Sequence, residues 1–154
     1  GRVMLGGGPG ALVSDAYSLG IEPSLQRPRM DEAIGIIKRL LTEKDPITYE
    51  SEWFTLREAL IHLRPYTQPH FPMAVAAAQS PSGMVAAGKH GLGVLSVSVV
   101  RGGSIASNLG DFWKIAEDTA EKHRQTVNRN EWRIVLHVHL ADTKKEAIEQ
   151  ARET

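Results

Sequence analysis

"MAVAAAQSPSGMVAAGKHGLGVLSVSV", residues 73–99, decides the fold of this 154-residue chain. Met73 to Ala78 is an unbroken apolar run, the pattern of a strand buried on both faces. Ser80-Pro81-Ser82-Gly83 interrupts it, and Met84 to His90 has the composition of a helix. Gly91 suits the left-handed residue that closes a helix, and Leu92 to Val99 is a second apolar strand. Strand, helix, strand in so short a span means two parallel strands joined by a right-handed crossover.

The same rhythm continues on both sides. Downstream, Arg101-Gly102-Gly103 reads as a loop and Asn108 to Gln125 as an amphipathic helix. Its apolar side is expected at Phe112, Ile115, Ala116, Thr119, Ala120 and His123. Trp132 to Leu140 is a third strand, and Thr143 and Glu146 are spaced as a capping box opening a last helix. Upstream, three prolines between Arg64 and Pro72 make an extended connection. Ile47 to Leu63 alternates loosely around Glu50-Ser51-Glu52 and is expected to form a hairpin-like excursion. Before it, Met30, Ile34, Ile37 and Leu41 recur at helical spacing, with Pro28 in the first turn and Asp45-Pro46 past the end. Val3-Met4-Leu5 is expected as a short buried strand, followed by a polar connection from Ser14 to Pro23. The tryptophans at 53, 113 and 132 and Phe54 are expected in the core.

The order is four βα units with a hairpin-like insertion after the first, an α/β class with a parallel sheet. Four such units are half of an eight-stranded barrel. The first strand has no lead-in and the last helix stops soon after it starts, so residues 1–154 are expected to be one partial domain, part of a larger α/β domain. An exposed half-barrel has two sheet edges and an apolar inner face, which favours a homo-oligomer.

Composition excludes several classes. Eighteen basic and eighteen acidic residues give a formal net charge of zero, so nothing favours nucleic acid or an anionic membrane. No cysteine is present, which removes disulfides and thiolate metal sites and fits a cytoplasmic protein. No stretch is long and apolar enough to span a bilayer. His137 and His139 share a strand face, but no third ligand has convincing spacing and no metal site is expected.

Two stretches bear on a ligand. Gly6-Gly7-Gly8-Pro9-Gly10-Ala11 matches G-x-G-x-x-A, yet a dinucleotide site needs a helix at once and an acid ending the next strand. Neither is expected here. The glycines read either as a turn or as a tight backbone wall that lets a flat ligand come close. At residues 79–83, a strand end meets a helix N-terminus, where unpaired N–H groups and the helix dipole attract anions. Ser80 and Ser82 add hydroxyls and Gly83 permits close approach. The alternative is that Ser80 merely caps the helix.

Taken together, "GRVMLGGGPGALVSDAYSLGIEP", "RMDEAIGIIKRLL", the run from Ile47 to Ser98, and "VHLADTKKEA" resemble the bacterial luciferase-like flavin-dependent monooxygenases over nearly the whole chain. The resemblance implies a TIM-type (β/α)8 barrel, of which this chain is the middle. It implies reduced FMN at the C-terminal mouth of the barrel, or a deazaflavin in a sister branch. Gln79, Ser80, Ser82 and Gly83 would hold the phosphate, with Ala77 and Ala78 near the ring or ribityl chain. Gly8, Gly10 and Ala11 would supply backbone and shape. Luciferase has an arginine where Pro9 aligns and an acid where Gln79 aligns. The implied activity is oxygenation of a small aldehyde, ketone or alkene with O2, the reduced flavin coming from a separate reductase. The alternatives are a deazaflavin-dependent oxidoreductase and a non-catalytic half-barrel. No catalytic residue is assigned, because the luciferase histidine lies on a strand outside this chain.

Overall fold

In the computed structural model, residues 2–77, 80–97, 109–135 and 138–153 are described. Four strands form one parallel sheet in the order β1-β4-β5-β6: β1 is Leu5–Gly7, β4 Met73–Ala76, β5 Gly93–Val97 and β6 Trp132–Val135. Leu5 pairs with Met73, Ala76 with Leu95, and Leu95 with Arg133. Helix α3 (Ser82–His90) joins β4 to β5, and α4 (Leu109–Lys122) lies between β5 and β6 in the chain. Between β1 and β4 come α1 (Val13–Ser18), α2 (Gln26–Thr42) and an antiparallel hairpin, β2 (Ile47–Glu50) with β3 (Thr55–Ala59). Helix α5 (Lys144–Glu153) follows β6. The βα rhythm and the hairpin expected from the sequence are both present.

Side-chain alternation sorts the sheet into two faces. A Cβ on Gly7 would touch Ile34 of α2, so Gly7 faces the helices, as do the buried Val75 and Val94. Gly6 and Gly8 therefore face the other way, where Ala76 and Leu95 are their neighbours. The helix-side core gathers Ile34, Leu41, Met73, Val75, Met84, Ala87, Val94 and Trp113. Trp113 stacks on Trp132 at 5.4 Å between ring centroids, and Trp132 Nε1 donates to the buried Ser96 hydroxyl at 2.9 Å.

Helix α3 is built to be approached closely. A Cβ on Gly83 would lie 2.3 Å from the Ala76 carbonyl oxygen, and one on Gly88 would lie 2.4 Å from that of Ala116 in α4. Only hydrogen fits at either place, so α3 seats against β4 at one end and α4 at the other. Gly91 ends α3 at φ 64°, the expected left-handed cap.

One residue at that end ties α3 to α2. His90 Nε2 donates to Asp31 at 2.7 Å, and Lys89 pairs with the other oxygen of the same carboxylate. Lys38 donates to the His90 carbonyl at 2.5 Å and to Gln125 at 3.3 Å. Partial burial works against the Asp31 charge, but the Lys89 and His90 hydrogen bonds outweigh it and hold this carboxyl below the ordinary aspartate value of 3.8.

Several local expectations change. Val3 and Met4 are exposed, and the strand begins at Leu5, where the Leu5 N–H donates to the Pro72 carbonyl and pairing with β4 starts. The stretch expected as a polar connection contains α1, anchored by the fully buried Ala16. In α2, Ile36 is buried and Ile37 exposed. Ile36 lies one turn from Glu32, on the flank that takes the hairpin. Glu32 accepts from Tyr49 at 2.8 Å, Ser51 at 2.9 Å and Trp53 Nε1 at 2.6 Å. Trp53 is therefore not a core residue: it is 41% exposed, its indole N–H on Glu32 and its ring under Arg29. His123 lies beyond the end of α4 and is exposed, while Trp113, Ala116 and Ala120 form the buried side. Half of the capping box forms, with the Glu146 N–H donating to Thr143 Oγ1 at 3.2 Å. The expected loop at Arg101-Gly102-Gly103 lies outside the described residues.

Two outcomes follow from this packing. Gly88→Ala forces α3 and α4 apart and is expected to lower stability by about 1–3 kcal/mol in urea denaturation, the usual range for overpacking. Asp31 has a depressed folded-state pKa, so its contribution is present above 3.8 and lost as pH falls through the folded value. Asp31→Asn is expected to be less stable than the unaltered chain at pH 7. That gap closes in denaturation measured at successively lower pH below 3.8.

Candidate cofactor cleft

At the C-terminal ends of β1 and β4, a cleft of about 550 Å³ opens between three segments. The loop after β1 contributes Gly8, Pro9, Gly10 and Ala11. The start of α2 contributes Gln26 and Arg27. The end of β4 and the approach to α3 contribute Ala76, Ser80 and Ser82. The glycine stretch and the serine stretch, about seventy residues apart in the chain, thus form one site because β1 and β4 are neighbours in the sheet.

The wall between them carries no bulk. A Cβ on Gly8 would only just touch that of Ala76, at 3.4 Å. Gly8 and Ala76 therefore present a hydrogen and a methyl on the face away from the helices. Gly10 has φ 85°, a left-handed conformation that favours glycine, and the Gln26 side-chain amide lies beside it.

The serine side is equally specific. Helix α3 starts at Ser82 with Pro81 as its N-cap, and no side chain caps it. The capping role open to Ser80 is not taken: its hydroxyl lies 2.7 Å from that of Ser82. One hydroxyl proton is used between the pair and one is left for the cleft. The first turn of α3 closes with the Val85 N–H donating to the Pro81 carbonyl at 2.9 Å, and a helix start of this kind carries N–H groups without an intrahelical partner.

Arg27 and Gln26 were missed in reading the sequence. A signal existed. Arginine in the first turn of a helix opposes the helix dipole, so Arg27 is unusual for its place although not decisive alone. Pro9, aligned where luciferase has an arginine, lines the same cleft as Arg27.

Of the other site residues, Ala77 is buried in the helix-side core and Gly83 is buried against Ala76 and Ala77. Both support the cleft from behind. Ala78 and Gln79 lie outside the described residues, as does His137. His139 Nε2 lies 2.7 Å from Gln150 Oε1. A six-residue helix does begin soon after the glycines, but the strand paired with β1 is β4, beyond the hairpin, so no dinucleotide-binding βαβ unit is formed. Among the described residues, no helix is long and apolar enough to cross a membrane.

Comparison with known proteins agrees with this layout. The chain is 41% identical over 150 residues to 4-hydroxyprotoasukamycin monooxygenase of Streptomyces nodosus subsp. asukaensis, covering 97% of this chain and 40% of that protein. It is 41% identical over 147 residues to limonene 1,2-monooxygenase of Rhodococcus erythropolis, covering 96% and 37%. The chain thus spans about two fifths of the curated relatives it matches. Among solved structures, monooxygenase RslO1 from Streptomyces bottropensis superimposes with a TM-score of 0.80 at 22% identity, over 99% of this chain and 45% of that one. The oxygenating constituent of 3,6-diketocamphane monooxygenase from Pseudomonas putida, a type II Baeyer-Villiger enzyme in complex with FMN, gives 0.77 at 22%, over 99% and 44%. An F420-dependent secondary alcohol dehydrogenase with an F420-acetone adduct gives 0.68 at 20%, over 87% and 38%. The four-stranded sheet and its helices are accordingly a partial (β/α)8 barrel. The family model described as luciferase-like monooxygenase matches residues 1–154, and the chain belongs to that family.

Proposed function

We propose that this chain carries the phosphate-binding part of a flavin-dependent monooxygenase site, with FMN as the cofactor. The observation that carries the reading is one cleft holding Arg27, the Ser80–Ser82 hydroxyl pair and an uncapped helix start, beside a wall of hydrogen and methyl. A cation, hydroxyl donors and free N–H groups are the donor set a phosphate dianion needs. A wall without side chains is what a flat ring needs to lie against backbone.

Reduced flavin, when bound, supplies the electrons with which O2 is used on a small organic substrate. The chain's own residues do the rest. Arg27 offsets the phosphate charge from the α2 side. Ser80 and Ser82 donate from the α3 side, and Gly83 lets that helix start come against the end of β4. Gly8 and Ala76 keep the wall smooth, so that a ring seated there excludes water. Both curated relatives are named monooxygenases, which supports oxygenation of a small organic substrate, an aldehyde, ketone or alkene on this reading. A separate reductase would deliver the reduced flavin.

A second reading has its own support. An F420-dependent dehydrogenase shares the fold, and a phosphate cleft of this kind serves a deazaflavin equally well. The colour of the cofactor that copurifies separates the two, yellow for flavin and blue-fluorescent for deazaflavin.

The test is titration of FMN into the full-length protein and into its Ser80→Ala variant, since this segment alone is expected to bind flavin weakly or not at all. Loss of one hydroxyl donor to a charged group is expected to weaken binding about threefold to tenfold. Unchanged affinity removes Ser80 from the phosphate site.

A further inference from the structure

Three successive turns of α2 bear on a single residue of α3. Asp31 takes the His90 imidazole, and Lys38 takes the His90 carbonyl. Between them is Gly35, where a Cβ would lie 3.3 Å from His90 Cε1. Glycine inside a helix is unfavourable by about 1 kcal/mol relative to alanine, so its presence here needs a packing reason, and the imidazole supplies one. Arg27, Asp31, Gly35 and Lys38 all lie on one stripe of α2, about 80° wide at 100° per residue. The stripe begins in the cofactor cleft and ends on His90.

The far side of the same cleft starts α3 at Ser82, and His90 ends that helix. Both halves of the cleft are thus referred to one short rigid element. Turning α2 about its axis would swing Arg27 away from Ser80 and Ser82. The same turn would pull Asp31 off His90 and Lys89, and Lys38 off the His90 carbonyl. It would also press a side chain onto the imidazole in place of Gly35. We propose that Asp31 and Gly35 are positioning residues: by locking α2 onto His90 they set the reach of Arg27 to the cofactor phosphate. This rests on the phosphate reading of the cleft.

The probes are FMN and riboflavin, which differ by the phosphate. The ratio of the riboflavin to the FMN dissociation constant reports the phosphate contact alone. Both ligands see the same folded fraction, so a variant that only loses stability leaves the ratio unchanged. Arg27→Met is expected to lower the ratio roughly tenfold, the scale of a charge-assisted contact. Asp31→Asn and Gly35→Ala, made separately so that a folding failure in one leaves the other, are each expected to lower it about threefold or more through misplacement. If the ratio falls in Arg27→Met but holds in Asp31→Asn and Gly35→Ala, the positioning role is overturned and the cleft reading stands. All titrations use the full-length protein; if it binds FMN no more tightly than riboflavin, or Arg27→Met leaves the ratio unchanged, the cleft reading falls and this inference falls with it.

Discussion

Helix α3 can reach its neighbours only because it lacks side chains at two points. Gly83 lies against the end of β4 and Gly88 against α4, each at a separation that excludes even a methyl. The rest follows from that seat. The core at Met84, Ala87, Val75, Val94 and Trp113 closes around the helix. The first turn of α3 is drawn to the end of β4, where Ser82 lines one cleft with the loop from β1. The last turn of α3 presents His90 to α2. Packing at van der Waals contact is unforgiving in this way, since a protein interior has no slack to absorb an added atom.

The cleft shows how a parallel sheet makes a site from distant segments. Each strand ends at the same edge, so the loops that follow are brought together whatever their separation in the chain. Here β1 delivers a glycine turn, β4 a serine pair, and α2 an arginine. None of the three is decisive alone. A glycine run is a common turn and a serine before proline a common cap, and an arginine near a helix start is one of many surface charges. Their convergence distinguishes them, with the cation on one side and the hydroxyls on the other.

Much of this could be read from residue order. The βαβ rhythm from Met73 to Val97, the hairpin and the Gly91 cap are local patterns of apolar period and backbone freedom, and they appear as expected. The expectation went astray where a partner overrides local pattern. Trp53 has the composition of a core residue, but Glu32 and Arg29 hold it at the surface. Ile37 continues the helical stripe, yet the hairpin moves the buried arc toward Ile36. The six residues Val13–Ser18 are too few to signal a helix by themselves, and burial of Ala16 stabilises one there.

Sequence by itself determined the class of fold, the parallel strands, and the glycine and serine stretches that line one cleft. Those depend on periodicity, glycine and proline, which act over a few residues. Only the tertiary structure decided that Ser80 bonds to Ser82 instead of capping α3, that Arg27 joins the cleft, and that Asp31, Gly35 and Lys38 converge on His90. These depend on which helix faces which, and at what rotation. That is settled by close packing between elements far apart in the chain, which no local pattern records.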